Sequence, residues 1–214
     1  MKVITYGEGV PKFIQSQSTI DLVDKLTPYV TFAKVPAATR FYYHTDGINM
    51  CYLIRSGLIR VRRGRDEIVI TSLLTPNIQG ISNLIPETAG LFLETLGESE
   101  IATLTTEQAL RMVAETNSWE LLAGHITKVS TNLFSHSMVL AAPTSYDVVR
   151  FHLSALMQEP GDIREATSAA KYILERTRLS RSTVMKMLSQ LRQGKYIELD
   201  EGILKAINHL PARY

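Results

Sequence analysis

A single cysteine in 214 residues, Cys51, excludes an internal disulfide and an iron–sulfur cluster held by this chain's own thiolates. Long apolar runs are absent too: none approaches the roughly 18 residues that a membrane-spanning helix needs. The opening MKVITYGEGVPKFIQSQ has no hydrophobic signal core, so a cytoplasmic protein with no membrane partner is expected. Phosphate-loop and catalytic signatures are missing. Gly7-Glu8-Gly9 is followed by neither Gly-Lys-Ser nor a dinucleotide fingerprint, and no nucleophile elbow or pair of catalytic acids stands out. His44, His125, His136, His152 and His209 have no zinc-site spacing and no carboxylate cluster around them. Neither an enzyme nor a metal or cofactor protein is expected.

What is present divides into blocks. The length suffices for two modest domains, and 45% hydrophobic residues argue for a folded chain. Ile20, Leu22, Val23 and Leu26 make a short amphipathic helix over 18–26 that Pro28 stops. From about Thr31 to Thr105 the pattern changes to short β-branched runs, MCYLIRSGLIRVRR, EIVITSLL, LFLETL and EIATL, separated by turn residues. Gly57 and Gly64 stand where a strand must reverse. This spacing points to a β-sandwich or β-roll. Cys51 lies inside the apolar MCYLI, which favours a buried, inert thiol over a redox sensor.

After Thr105 the pattern turns helical. A threonine-capped helix comes first, then a longer one from Ser118 to about Leu140. Trp119, Leu122, Ile126, Val129, Leu133, His136 and Leu140 are spaced alternately three and four apart, an a/d row sustained for three heptads. That row predicts a parallel two-helix dimer seam; the alternative is a helix packed on its own domain. Pro143 ends it, and Thr144 caps a further helix reaching about Gln158.

The charge is gathered in one place. The chain's formal net charge is +2, yet Ala166–Ile197 holds Lys171, Arg176, Arg178, Arg181, Lys186, Arg192 and Lys195 against Glu175 alone. Such a surface grips phosphates. The same segment reads as a helix packed through Ala169, Ala170, Ile173 and Leu174, a turn through Leu179, and a second helix capped by Ser180. Val184, Met187, Leu188 and Leu191 form its inward face, leaving Arg181, Ser182, Met185 and Lys186 outward to reach base edges in a major groove. Arg176, Thr177, Arg178, Ser180, Ser189, Arg192 and Lys195 flank them, where phosphate contacts set register. A hairpin with an acidic turn, Asp200-Glu201-Gly202, forms a wing that is not expected to enter a groove.

LSRSTVMKMLSQLRQGKYIEL resembles the recognition helix and wing of the CRP/FNR-type regulators, and YLIRSGLIRV resembles that family's Y-x-I-x-x-G-x-I-x-V strands. The C-terminal YILERTRLSRSTVMKMLSQLRQGKYIELDEGILKAINHLPARY is similar to the end of the enterobacterial IprA-type regulators, inhibitors of hydrogen peroxide resistance. The resemblance implies an α+β chain. Residues 1–116 would form a double-stranded β-helix (a β-roll like those that bind cyclic nucleotides), 117–142 a dimerisation helix and 143–214 a winged helix-turn-helix. It further implies a homodimer on a pseudo-palindromic double-stranded DNA operator, with RNA polymerase a further candidate partner and a link to oxidative stress. A protein-interaction regulator with weak DNA binding, or a sensor of another small ligand in the roll, would share this fold.

By position, Arg181 and Lys186 fall on the family's main contact places, while Ser182 stands where many relatives have glutamate. The effector cassette departs further. Gly80 is kept, Ile81 stands at the glutamate place, and Ala89-Gly90 replace the Arg-Ser or Arg-Thr pair. A cyclic phosphate would lose its fixed cation and the ribose its acceptor, so no cyclic-nucleotide binding is expected. Arg55, Arg60, Arg62, Arg63 and Arg65 read as a solvated hairpin edge or, alternatively, an anionic contact in the roll.

Overall fold

The computed structural model describes residues 15–82, 90–140 and 144–211; among the side chains of 135–140 only Ser137 is described. The chain divides into two compact units at 132/133. None of the described helices is long and apolar enough to cross a membrane.

The N-terminal unit opens with α1 (Gln17–Leu26), which runs into a single 3-10 turn at Thr27–Tyr29 holding Pro28. Among the described residues nine strands follow: β1 (Ala33–Val35), β2 (Arg40–Tyr42), β3 (His44–Thr45), β4 (Ile48–Ser56), β5 (Ile59–Arg63), β6 (Val69–Leu73), β7 (Asn77–Gln79), β8 (Leu91–Thr95) and β9 (Ser99–Thr105). They pair antiparallel into two sheets. One runs β1-β9-β4-β3 with β7 also on β4; the other runs β2-β8-β5-β6. Then come α2 (Thr106–Glu115) and α3 (Trp119–Leu140). The start of α2 is a complete capping box: Gln108 N–H donates to Thr105 Oγ1 at 3.1 Å, and Thr105 N–H to Gln108 Oε1 at 2.8 Å.

The five longer strands, β4, β5, β6, β8 and β9, sit where the β-branched runs predict them, whereas β1, β2, β3 and β7, at two or three residues each, are too short to leave a periodic signal. β4 explains the apolar run MCYLI. Cys51 and Leu53 pack with Leu22, Val23, Leu26, Ala109, Val113 and Leu122, while Tyr52 and Ile54 pack with Ile59, Val61 and Leu93 of the second sheet. A strand covered on both faces shows no polar alternation. Gly57 reverses the chain between β4 and β5 at φ 122°, where a Cβ would fall 2.1 Å from Ser99 Oγ.

The C-terminal unit contains α4 (Ser145–Leu156), α5 (Gly161–Ala166), α6 (Ala169–Leu174), α7 (Arg181–Gln193) and the hairpin β10 (Ile197–Asp200) and β11 (Ile203–Ile207). α4 is capped by Thr144, and α5 is a short helix for which EPGD leaves only a stop signal in the sequence. Its core joins Val149, Leu153 and Leu156 of α4 to Ala169, Tyr172 and Ile173 of α6, Val184, Leu188 and Leu191 of α7, and Ile197 and Leu204 of the hairpin.

Candidate nucleic-acid interface

The turn between α6 and α7 is built from hydroxyl caps. Ser168 Oγ accepts from Lys171 N–H at 3.3 Å at the start of α6. Ser180 Oγ accepts from Thr183 N–H at 3.1 Å at the start of α7 and lies 2.9 Å from Ser182 Oγ and 2.8 Å from Thr183 Oγ1. Such a cap stabilises a helix by about 1 kcal/mol and aims its first turn. Between them, Thr177 Oγ1 accepts from Leu179 N–H at 3.3 Å, and Leu179 packs against the core.

α7 presents two faces. Val184, Leu188 and Leu191 are buried and Met187 packs beside them, whereas Arg181, Ser182, Met185, Lys186 and Ser189 are exposed. The periodicity of the sequence therefore orients this helix correctly. Gly194 ends it, and a Cβ there would meet Tyr196 Cε2 at 2.4 Å. Arg178, Arg192 and Lys195 are exposed at the flanks. Arg181, Lys186, Arg192 and Lys195 have no carboxylate partner among the described residues.

Arg176 departs from expectation. Its side chain is only 5% exposed and forms an ion pair at 3.5 Å with Glu159, itself 7% exposed. The guanidinium lies 3.6 Å over the Tyr172 ring, and Tyr172 O–H donates to the same Glu159 oxygen at 2.8 Å. A phosphate would have to break this buried cluster to reach the cation, so Arg176 is structural. Its acid stands 17 residues away, beyond any local pattern.

The wing turns through Glu201 (φ 48°) and Gly202 (φ 84°), the positive pair of a two-residue hairpin turn. Gly202 C=O accepts from Ala169 N–H at 2.9 Å, which ties the acidic tip to the first turn of α6.

The expected dimer row is also split. Leu122 is 5% exposed inside the N-terminal unit's core and Ile126 packs against that core, because this side of α3 turns toward the unit's own buried cluster, beside α1. Beside them, His125 is buried with its Nδ1 2.9 Å from Thr19 Oγ1, and burial lowers its pKa to about 4. Val129 is half-buried, Trp119 (51%) and Leu133 (57%) are exposed, and the side chains of His136 and Leu140 lie outside the described residues. Phe134, absent from the row, is 70% exposed.

At the effector place, Gly80 (φ 85°) lies so close to β4 that a Cβ would sit 2.1 Å from Met50 O. Ile81 is buried in the core, Gly90 is exposed, and Ala89 lies outside the described residues. Cys51 is fully buried, and burial pushes its thiol up to about 12. Along the hairpin, Arg62 pairs with Glu94 at 2.5 Å, Arg63 with Asp66 at 2.7 Å and Arg55 with Glu100 at 3.7 Å. Arg65 is exposed; Arg60 is 6% exposed, so it does not belong to a solvated edge.

Residues 145–212 match the family of winged helix-turn-helix DNA-binding domains. Over 187 residues the chain is 28% identical to the inhibitor of hydrogen peroxide resistance of Salmonella typhimurium, spanning 82% of this chain and 89% of that protein. Among solved structures it is similar to the c-di-GMP-responsive global regulator CLP of Xanthomonas campestris, with a TM-score of 0.68 at 14% identity over 88% of this chain and 99% of that one. A transcriptional regulator of the crp/fnr family from Eubacterium rectale superposes with a TM-score of 0.55 at 14% identity, covering 88% and 90%. The solved structures it resembles are those of regulators, and at 14% identity the likeness shows the fold. The chain thus has the CRP/FNR-type transcription-regulator fold, carries a winged helix-turn-helix DNA-binding domain, and is distantly similar to the inhibitors of hydrogen peroxide resistance.

Proposed function

We propose that this chain is a homodimeric, sequence-specific DNA-binding regulator whose roll takes no cyclic nucleotide. The observation that carries the reading is the outward face of α7, where exposed cations without carboxylate partners among the described residues stand beside hydroxyls on a capped helix. Arg181, Ser182, Met185 and Lys186 face base edges; Thr177, Arg178, Ser180, Ser189, Arg192 and Lys195 face phosphates. Two copies, with recognition helices about 34 Å apart, read a pseudo-palindrome in successive major grooves. Exposed Trp119, Leu133 and Phe134 on α3 support a second copy. A core isoleucine at the place of the ribose-binding glutamate supports a roll without cyclic nucleotide. The likeness to inhibitors of hydrogen peroxide resistance supports a place in the oxidative-stress response, with RNA polymerase a further partner.

Salt titration of binding to the chain's own promoter region tests the core of this reading. Three to five phosphate contacts per copy predict a log–log slope between about −5 and −9. A slope near zero would refute it and favour a protein-interaction role. Arg181→Ala is expected to abolish preference for the operator over random DNA; equal loss on both would remove Arg181 from base readout.

A further inference from the structure

Met185 is the one large apolar side chain left exposed among the described residues 144–211, at 48%. The other apolar residues of α7 turn inward to the core, so burial within the unit does not explain it. It stands one helical turn after Arg181 and is flanked by Ser182, Lys186 and Ser189, all exposed. An apolar group in the middle of a cationic face suits a surface that is itself polar with one apolar feature. In the major groove that feature is the C5-methyl group of thymine. Methionine, unbranched and polarizable, adapts to such a contact.

The rest of the face narrows the readout. α7, RSTVMKMLSQLRQ, has no aspartate or glutamate, so it presents no carboxylate to accept from the cytosine amine. Ser182 Oγ lies 2.9 Å from the capping Ser180 Oγ and is drawn toward the helix start. Donors and one methyl-sized contact remain. Four residues of helix separate Arg181 from Met185 by about 6 Å along the axis, against about 3.4 Å per base step, so their targets lie about two steps apart.

We propose that Met185 is a specificity-determining residue that reads the C5-methyl of thymine about two base pairs from a guanine held by Arg181. The proposal rests on the DNA-binding reading above.

The test uses the full chain and double-stranded oligonucleotides that it selects from a random library. Each thymine of the selected half-site is replaced singly by uracil, which removes only the methyl group. At one position, about two steps from a guanine whose replacement abolishes Arg181-dependent preference, the parent is expected to lose about four-fold in affinity, the worth of one buried methyl. Met185→Ala is expected to bind the thymine and uracil forms equally, and Met185→Leu to keep part of the discrimination. Because Met185 is exposed, the Ala variant is expected to melt with the parent. If no thymine is sensitive to uracil, or if Met185→Ala shows the same four-fold difference, the inference is wrong while the DNA-binding reading stands. Selection that enriches no sequence, with no salt-dependent binding, removes both.

Discussion

Arg176 and Arg178 stand two residues apart in a basic turn, and the structure buries the first and exposes the second. Replacing Arg176 with alanine leaves Glu159, 7% exposed, as a buried carboxylate without its cation, and strips the face of Tyr172 of a guanidinium at 3.6 Å. Both partners are almost fully covered, so solvent screening discounts little, and breaking such a pair costs about 3–5 kcal/mol. In a unit of this size each 1 kcal/mol shifts the melting temperature by about 4–8 °C, so a fall of at least about 12 °C is expected. Arg178→Ala, at an exposed place, should melt within a few degrees of the parent and weaken DNA binding equally across sequences. Thermal unfolding of both variants, with binding to operator and random DNA measured well below the transition, separates the two roles. A paired variant, Glu159→Leu with Arg176→Met, should recover most of the lost stability, since apolar groups can replace a buried ion pair. If Arg176→Ala melts with the parent and loses DNA affinity as Arg178→Ala does, the buried-cluster reasoning fails.

Two further outcomes follow from burial. His125, with a folded-state pKa of about 4 against the ordinary 6.5, takes up its proton first in the unfolded chain; its stabilising contribution is therefore whole above about pH 6.5 and falls as pH drops toward 4, by up to about 3 kcal/mol. Urea unfolding between pH 7 and 4 should show this slope in the parent and a flatter one in His125→Gln; parallel profiles would sink the assignment. Cys51, with its thiol pushed up to about 12 by burial, should react with a thiol reagent roughly a thousand-fold more slowly than a free cysteine in native buffer and at an ordinary rate in denaturant. Fast native labelling would reopen a redox role.

Much of the fold was legible because periodic burial leaves a periodic mark. The strands β4, β5, β6, β8 and β9 and the helices α1, α2, α3, α4 and α7 coincide with runs and caps visible in the chain. The two faces of α7 could be assigned residue by residue, since a 3.6-residue repeat divides inward from outward positions without reference to any partner. What escaped was short or non-local. The strands β1, β2, β3 and β7 owe their pairing to neighbours brought by the fold, and α5 is one and a half turns behind a proline. The a/d row of α3 was real as a pattern, but spacing does not distinguish a helix that meets its own domain from one that meets another copy. Leu122 and Ile126 meet their own.

The basic helix-turn-helix, its serine cap and its outward Arg181, Ser182, Met185 and Lys186 were thus determined by sequence alone, because caps, turns and helical faces depend on residues within a few positions of one another. Only the tertiary structure separated the cations. Lys186, Arg181, Arg192 and Lys195 stay outside with no carboxylate partner among the described residues, whereas Arg176 is claimed by Glu159 from 17 residues away and by the ring of Tyr172. Charge can be counted along a chain, but whether a given charge is free to meet a phosphate depends on which acid the fold places beside it.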